Sequence, residues 1–300
     1  MKLATFTEAG RTRIGVVENG EILDLTEDRQ LPADMIGFLA AGDGAMEAAR
    51  SLLRRSTSRI PMVSVRLEAP VLNPRKFLAL GGSYESHIAE VAHLGIERPK
   101  YQTWFNKQVT CVNSPYGDIH LPRVSAQLDY EGELAIVVGR RGRHLHGADA
   151  RAAIAGFTIC NDVSVRDWQR RAATGTIGKS FDTHGPLGPW IVTQDELPGA
   201  NELSLKTWVN GELCQDGNTD ELIYRFEDML TELSTSFTLE PGDILSTGTP
   251  AGVGVLRKPP QFLQVGDVCR VEIQGIGHIE NRVVLEPDAT TVRSGQGNGF

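Results

Sequence analysis

The chain has 300 residues, of which 40% are hydrophobic and 23% are charged, a composition typical of an ordinary globular protein with one or two domains. Its 30 basic and 38 acidic residues give a net charge of −8, which disfavours sequence-independent binding to a nucleic-acid backbone. The four cysteines are far apart, and neither an apolar leader nor a run of about 18 apolar residues occurs. We therefore expect a cytoplasmic protein without disulfides and without a membrane partner.

Residues 1–70 are predicted to form a small α+β domain. Two short apolar runs flank Asn19-Gly20, a dipeptide that suits a tight hairpin because both residues tolerate positive φ. Over 32–55 the apolar spacing becomes helical, and Gly42-Asp43-Gly44 predicts a break between two helices. Three prolines then mark an extended linker, which places the domain boundary near residue 70.

Residues 71–290 are predicted to form a larger, strand-rich domain, followed by a flexible tail at 291–300. Predicted strands lie at 76–80, 128–138, 154–160, 205–209, 212–215, 244–246 and 268–273, and predicted helices at 84–94, 163–173 and 225–237. Asn210-Gly211 predicts a second tight hairpin. Many short strands without regular strand–helix alternation indicate an α+β fold with a mixed, largely antiparallel sheet.

Two glutamates on the long predicted strand suggest a metal site. Glu131 and Glu133 point to the same side, because alternate residues of a strand share a face. Like charges on one face repel, and a divalent cation would neutralise them. Asp162 follows the next predicted strand, and an all-oxygen ligand set favours Mg²⁺, Mn²⁺ or Ca²⁺. The alternative is a glutamate pair that simply faces solvent.

Three further segments carry polar groups. His87 and Glu90 lie three apart on one helix face, and an acid-oriented histidine is the usual general base, although exposed pairs of this kind are also common. Arg166 and Gln169 follow the third carboxylate closely enough to project beside it. Lys179, between glycine and serine, is suited to stabilise an anion, and no Walker loop surrounds it.

A turn of small residues at 246–254 ends the series of motifs. Its backbone N–H groups could bind a substrate carboxylate, and plain turn geometry is the alternative.

Five ordered motifs give the chain a resemblance to the fumarylacetoacetate hydrolase family over about 70–284. They are G-x-Y-x-x-H-x-x-E at 82–90, Y-E-x-E at 130–133, N-D-x-S-x-R-D-W-Q at 161–169, G-K-S-F-D-T at 178–183 and T-G-T-P-x-G-V-G at 247–254. Fumarylacetoacetate hydrolases proper carry an extra acidic ligand upstream of the histidine, but no Asp or Glu occurs between Ala69 and Tyr84. The chain therefore looks like the three-carboxylate bacterial branch of the family.

The resemblance implies a mixed β-roll catalytic domain behind the small N-terminal domain, a homodimer, and bound Mg²⁺ or Mn²⁺. The implied roles are metal binding for Glu131, Glu133 and Asp162, catalysis for His87, Glu90 and Lys179, and substrate binding for Arg166, Gln169, Thr249, Gly248 and Tyr84.

The activity expected from this resemblance is metal-dependent hydrolysis of a C–C bond in a small 2,4-diketo acid, giving a pyruvate-like acid and a carboxylic acid. His87 is expected to activate the water, while Lys179 and Gln169 stabilise the oxyanion. Decarboxylation of oxaloacetate and isomerisation of 2-hydroxyhepta-2,4-diene-1,7-dioate are alternatives within the family. A non-catalytic domain that binds a carboxylated ligand through a cation is an alternative outside it.

Overall fold

The computed structural model describes residues 1–95 and 97–288, which form three sheets and six α-helices, with short 3₁₀ helices between them. The strands are β1 Lys2–Glu8, β2 Arg11–Glu18, β3 Glu21–Asp24, β4 Ile60–Pro61, β5 Arg66–Glu68, β6 Phe77–Gly81, β7 Thr103–Lys107, β8 Val112–Asn113, β9 Ile119–Leu121, β10 Leu128–Asp129, β11 Gly132–Val138, β12 Ile154–Asn161, β13 Ser164–Val165, β14 Gly185–Thr193, β15 Ser204–Val209, β16 Glu212–Asn218, β17 Ile244–Ser246, β18 Val268–Ile273 and β19 Gly277–Leu285. The helices are α1 Met35–Ala40, α2 Gly42–Arg55, α3 Glu85–Val91, α4 Gly147–Ala152, α5 Arg166–Gln169 and α6 Phe226–Ser236.

The largest sheet has 12 strands in the order β4-β3-β2-β1-β14-β12-β11-β17-β6-β7, with β5 paired to β1 and β8 to β14. A second sheet has the order β16-β15-β18-β19-β9, and β10 pairs with β13 alone. Most of these pairings are antiparallel, while β17–β6, β14–β8 and β19–β9 are parallel. The predicted α+β class with a mixed, largely antiparallel sheet is confirmed.

Both predicted hairpins are present because their turn residues adopt the left-handed conformation. Asn19 and Gly20 have φ of 52° and 79°, and Asn210 and Gly211 have φ of 51° and 83°. Each pair joins adjacent antiparallel strands, β2 to β3 and β15 to β16. The two predicted helices are also present, but they meet at Ala41, because Gly42-Asp43-Gly44 forms the first turn of α2 and does not separate the helices.

The central strand β11 is buried on both faces of the large sheet. Leu134 and Ile136 pack into a core with α6 and the five-stranded sheet, where Phe157 and Phe226 rings lie 5.0 Å apart. Val137 packs into a second core with α1 and α2. Burial on both faces explains why this strand reads as a continuous apolar run. It also gives the site a rigid support.

The long strand predicted over 128–138 is wrong, because it breaks between β10 and β11. Side chains capture the backbone N–H groups at the break: Asp129 accepts from Tyr130, and Asn161 accepts from Glu131. Glu131 therefore precedes β11, whereas Glu133 lies within it. The helix predicted over 163–173 is also shorter than expected, since β13 uses 164–165 and α5 covers only Arg166–Gln169.

The N-terminal segment shares the large sheet with the rest of the chain. Strand β1 pairs with β14 through Lys2↔Val192 and Leu3↔Ile191, so the sheet continues across the predicted boundary at residue 70. The tail predicted at 291–300 lies outside the described residues. Within 1–95 and 97–288, no helix is both long enough and apolar enough to cross a membrane.

Candidate active site

Three buried carboxylates meet where β11 and β12 lie side by side. Glu131 comes directly before β11, Glu133 lies in it, and Asp162 directly follows β12. The Asp162 N–H donates to the Glu131 carbonyl oxygen at 2.8 Å, which closes the gap between the two segments. One potential ligand atom from each of the three carboxylates lies within 4.8 Å of the others. The three carboxylates therefore lie together as predicted, although Glu131 and Glu133 do not belong to one continuous strand.

Three cations surround this carboxylate cluster. Lys179 Nζ donates to Glu131 Oε2 at 2.6 Å and to Asp162 Oδ2 at 2.7 Å. Arg166 Nη1 donates to Glu131 Oε1, and Lys107 Nζ donates to Asp162 Oδ1 at 2.6 Å. All three cations are buried, so solvent screens these contacts only weakly. Two of them, Arg166 and Lys179, belong to the predicted site.

The charges of the cluster are not balanced evenly. Burial alone would raise the pKa of Glu131, but Lys179 and Arg166 outweigh it and hold that pKa well below its usual range. Burial raises the pKa of Glu133 well above its usual value, and the negative charges of Asp162 and Glu131 raise it further. Buried carboxylates that repel one another, and offer only oxygen ligands, fit a hard divalent cation.

The small-residue turn binds carboxylates of the protein itself. The N–H of Gly248 donates to Glu133 Oε2 at 3.1 Å, and the N–H of Gly252 donates to Glu90 Oε1 at 3.0 Å. Gly254 N–H donates to a third carboxylate, that of the buried Asp129, at 2.8 Å from Oδ1. The turn is thus an anion-binding segment, as its composition indicated, but these donors already bind acids of the protein.

Position 248 accepts only glycine. Gly248 has a φ of 93°, and a Cβ there would overlap Ser83 Oγ and approach the carbonyl oxygen of Leu80 at 2.7 Å. Next to it, Thr249 Oγ1 donates to the Gly132 carbonyl at 2.9 Å. The turn is therefore fixed against the start of β11, and the substrate-binding roles of Gly248 and Thr249 stay predictions.

The predicted histidine–glutamate pair forms on α3 and is attached to the same turn. His87 Nδ1 lies 3.2 Å from Glu90 Oε2, while the other oxygen of Glu90 accepts the Gly252 N–H. Both side chains keep about one fifth of their surface exposed, at 21% and 22%. The contact orients the imidazole as a general base requires. Its catalytic role stays a prediction.

A cavity of about 780 Å³ adjoins the carboxylate cluster. Three of the predicted residues, Arg166, Gln169 and Lys179, belong to its lining. Arg166 Nη1 also lies 3.1 Å from Gln169 Oε1, so the arginine and the glutamine are held together. His87 and Glu90 are not part of this lining, and the fully buried Tyr84 is not either.

Two charged residues of this region were missed by the sequence reasoning. Lys107 also donates to the carbonyl oxygens of Lys179 and His184, which are distant in sequence, so no local pattern marks it. Asp129 accepts from Arg166 Nε at 2.8 Å. A signal for Asp129 was present, since it belongs to the same alternating acidic run as Glu131 and Glu133.

The comparison with known proteins agrees with the family resemblance that the sequence motifs indicated. A family model described as fumarylacetoacetate (FAA) hydrolase C-terminal matches residues 76–284. The chain is 42% identical over 267 residues to oxaloacetate tautomerase Fahd2a, mitochondrial, of Rattus norvegicus, covering 88% of this chain and 84% of that protein.

Two solved structures are similar along nearly the whole chain. Fumarylacetoacetate hydrolase from psychrophilic Exiguobacterium antarcticum has a TM-score of 0.83 and 38% identity, covering 95% of this chain and 100% of that one. Maleylpyruvate hydrolase from Sphingobium sp. SYK-6, solved with manganese(II) and pyruvate, has a TM-score of 0.80 and 30% identity, covering 96% and 100%. These similarities confirm the fold and the family resemblance predicted from the motifs.

Proposed function

The chain belongs to the fumarylacetoacetate hydrolase family, a family of enzymes, and we propose that it catalyses keto–enol tautomerisation of oxaloacetate or a similar 2-oxo acid with Mg²⁺ or Mn²⁺. The observation that carries the proposal is a free donor beside the carboxylate cluster. Arg166 Nη2 is buried and has no hydrogen-bond partner among the described residues, while Nε and Nη1 are held by acids. A buried, unpaired guanidinium nitrogen favours an anionic ligand.

The similarity to an oxaloacetate tautomerase supports this reaction ahead of the other activities of the family. A divalent cation held by Glu131, Glu133 and Asp162 would supply Lewis-acid polarisation of the 2-oxo oxygen. Arg166, with Gln169 beside it, binds the adjacent carboxylate of the substrate.

Lys179 is the group suited to proton transfer in this reaction. Its Nζ lies between two carboxylates and its side chain lines the cavity. Tautomerisation removes one proton from the enol oxygen on carbon 2 and adds one to carbon 3, so no other reactant is consumed. We assign the transfer at carbon 3 to Lys179, and the loss of a general acid–base group typically costs about 10²–10⁴-fold in rate.

The test is the decay of freshly dissolved enol-oxaloacetate, followed by its ultraviolet absorbance, with Mg²⁺ present. We expect the protein to accelerate the decay over buffer with Mg²⁺, and Lys179→Met to lose at least about 10²-fold of that acceleration. Lys206→Met is the matched control, because Lys206 lies on β15 in an exposed ion pair with Asp216. No acceleration by the native protein would exclude the proposed reaction. An undiminished rate in Lys179→Met would remove the lysine from it.

Hydrolysis of acylpyruvates is a second candidate, favoured by the His87–Glu90 pair. Attack by water needs a general base, whereas tautomerisation does not consume water. We therefore expect His87→Ala to lower release of pyruvate and carboxylic acid by about 10²–10⁴-fold while tautomerisation changes only slightly. If the native protein releases no carboxylic acid from any acylpyruvate, this second candidate is excluded.

A further inference from the structure

The outer part of the cavity is positively charged, although the chain as a whole has a net charge of −8. Arg170, Arg257 and Lys258 line it together with Arg166 and Lys179, and no aspartate or glutamate of the described residues belongs to the lining. Arg166 and Lys179 are paired with buried carboxylates and Arg257 with the exposed Glu212, so Arg170 and Lys258 supply the excess charge. Such local charge raises the concentration of anionic ligands.

The same cavity is larger than a four-carbon acid requires. Cavities of about 300–1,000 Å³ commonly hold drug-sized ligands, and this one measures about 780 Å³. Apolar side chains, among them Trp104, Phe105 and Leu256, contribute to its walls. The cavity thus offers a polar inner end, apolar walls and basic side chains, which suits an acid with a carbon chain and a second charged end.

The three outer cations differ in the hydrogen bonds and ion pairs that they already form within the protein. Arg170 Nη2 donates to Gln127 Oε1 at 2.8 Å. Arg257 forms an ion pair with Glu212, whose side chain is 60% exposed, and donates to Cys214 Sγ at 3.2 Å. Lys258 is exposed and forms no ion pair or hydrogen bond with the described residues through its ammonium group. Arg257 and Lys258 are therefore two adjacent cations whose acidic contact among the described residues is with a solvent-exposed glutamate.

The loop that carries this pair is fixed to the inner site. Asp129 Oδ2 accepts the Val255 N–H at 2.9 Å and also the Arg166 Nε at 2.8 Å. One buried carboxylate thus orients both the inner arginine and the turn that leads to Arg257 and Lys258. A fixed spacing between two binding groups is what selects ligands by length.

We propose that Arg257 and Lys258 bind the distal carboxylate of a dicarboxylic 2-oxo acid whose 2-oxo end lies at the carboxylate cluster. The proposal rests on the proposed function for that inner end, and it adds the residues that select the outer end. It makes both side chains specificity-determining residues, without a part in the proton transfer.

The test compares two acids with six carbons that differ only at the far end. Isothermal titration with Mg²⁺ measures binding of 2-oxoadipate, which ends in a carboxylate, and of 2-oxohexanoate, which ends in a methyl group. We expect the native protein to bind 2-oxoadipate about tenfold more tightly, because charged hydrogen bonds are stronger than neutral ones. The double variant Arg257→Gln/Lys258→Gln should lose about tenfold for 2-oxoadipate and less than about twofold for 2-oxohexanoate.

Arg171→Gln is the matched control, because Arg171 stacks on Trp168 at 3.7 Å from the ring centroid and does not line the cavity. We expect it to change neither affinity by more than about twofold. Equal affinity of the native protein for both acids would overturn the distal subsite and leave the proposed function intact. Equal losses for both acids in the double variant would overturn it as well. If neither acid binds in the presence of Mg²⁺, the distal subsite is overturned, while the decay of enol-oxaloacetate decides the proposed function separately.

Discussion

Glu131 and Glu133 are two residues apart and occupy opposite electrostatic environments. Glu131 contacts both Lys179 and Arg166, which hold its pKa low in spite of burial. Glu133 accepts hydrogen bonds from a serine hydroxyl and a backbone N–H, and burial beside two other carboxylates raises its pKa. The cation-rich side of the cluster is balanced by the protein itself. The side at Glu133 is where an external cation would add the charge that the protein does not supply.

The largest effect on the free energy of unfolding is expected at Lys107, on the cation-rich side of the carboxylate cluster. Its ammonium is fully buried and donates to Asp162 Oδ1 and to the carbonyl oxygens of Lys179 and His184. Lys107→Met removes one partner of a buried ion pair and leaves two carbonyls without a donor. We expect the free energy of unfolding in urea to fall by about 3–5 kcal/mol.

Lys206→Met is the control for this substitution, because it removes the same side chain from an exposed ion pair. We expect it to cost less than about 1 kcal/mol. A Lys107→Met protein as stable as the Lys206→Met protein would show that Asp162 and the two carbonyls are satisfied without Lys107.

The difference between the environments of the two glutamates is tested by Glu131→Gln and Glu133→Gln in the metal-free protein. Glu131→Gln takes a negative partner from two buried cations, and we expect a loss of about 2 kcal/mol in the free energy of unfolding. Glu133→Gln removes a carboxyl group whose ionisation its surroundings oppose. We expect a stability within about 1 kcal/mol of the parent, or higher.

Both substitutions should nevertheless weaken Mg²⁺ binding in a calorimetric titration, because each removes an anionic ligand. Equal destabilisation by the two substitutions would contradict the difference between the two sides. Unchanged Mg²⁺ affinity in Glu133→Gln would remove Glu133 from the metal ligands.

The sequence predicted that these three carboxylates lie together, through a partly wrong backbone path. Alternation along a strand suggested that Glu131 and Glu133 share a face, but Asn161 captures the Glu131 N–H and the strand begins only at Gly132. That contact joins residues 30 apart, and periodicity within one segment does not contain it. The same three residues stand in the family motifs, which do not depend on the backbone path between them.

Local turns were predictable and long-range charge partners were not. Asn19-Gly20 determines its own hairpin, because the two residues set the backbone conformation by themselves. Lys107 and Asp162 are 55 positions apart, and only the assembled sheet brings them together. The turn at 246–254 is an intermediate case. Its composition was compatible with a bound substrate carboxylate or with plain turn geometry, and only the fold shows that its N–H groups bind Glu90, Asp129 and Glu133.

A pH-dependent effect on stability is expected at His184, a buried base whose carbonyl oxygen accepts from Lys107. Burial lowers its pKa from 6.5 to about 3, and the positive charges of Lys107 and His120 lower it further, against a hydrogen bond to the His120 carbonyl. The unfolded chain takes up a proton near pH 6.5, whereas the folded protein leaves His184 neutral until about pH 3. Its contribution to stability is therefore complete above pH 6.5 and declines as the pH falls from there towards 3.

The expected slope from this one group is about 1.4 kcal/mol per pH unit, measured by urea unfolding between pH 6.5 and 4.5. His184→Gln keeps a donor for the His120 carbonyl and cannot titrate, so its stability should depend on pH less steeply by that amount. His146→Gln, on the exposed residue before α4, should keep the slope of the parent. Since His184 and Glu133 are both buried but titrate with opposite signs, an unchanged slope in His184→Gln would show that carboxyl groups alone determine the acid sensitivity of the fold.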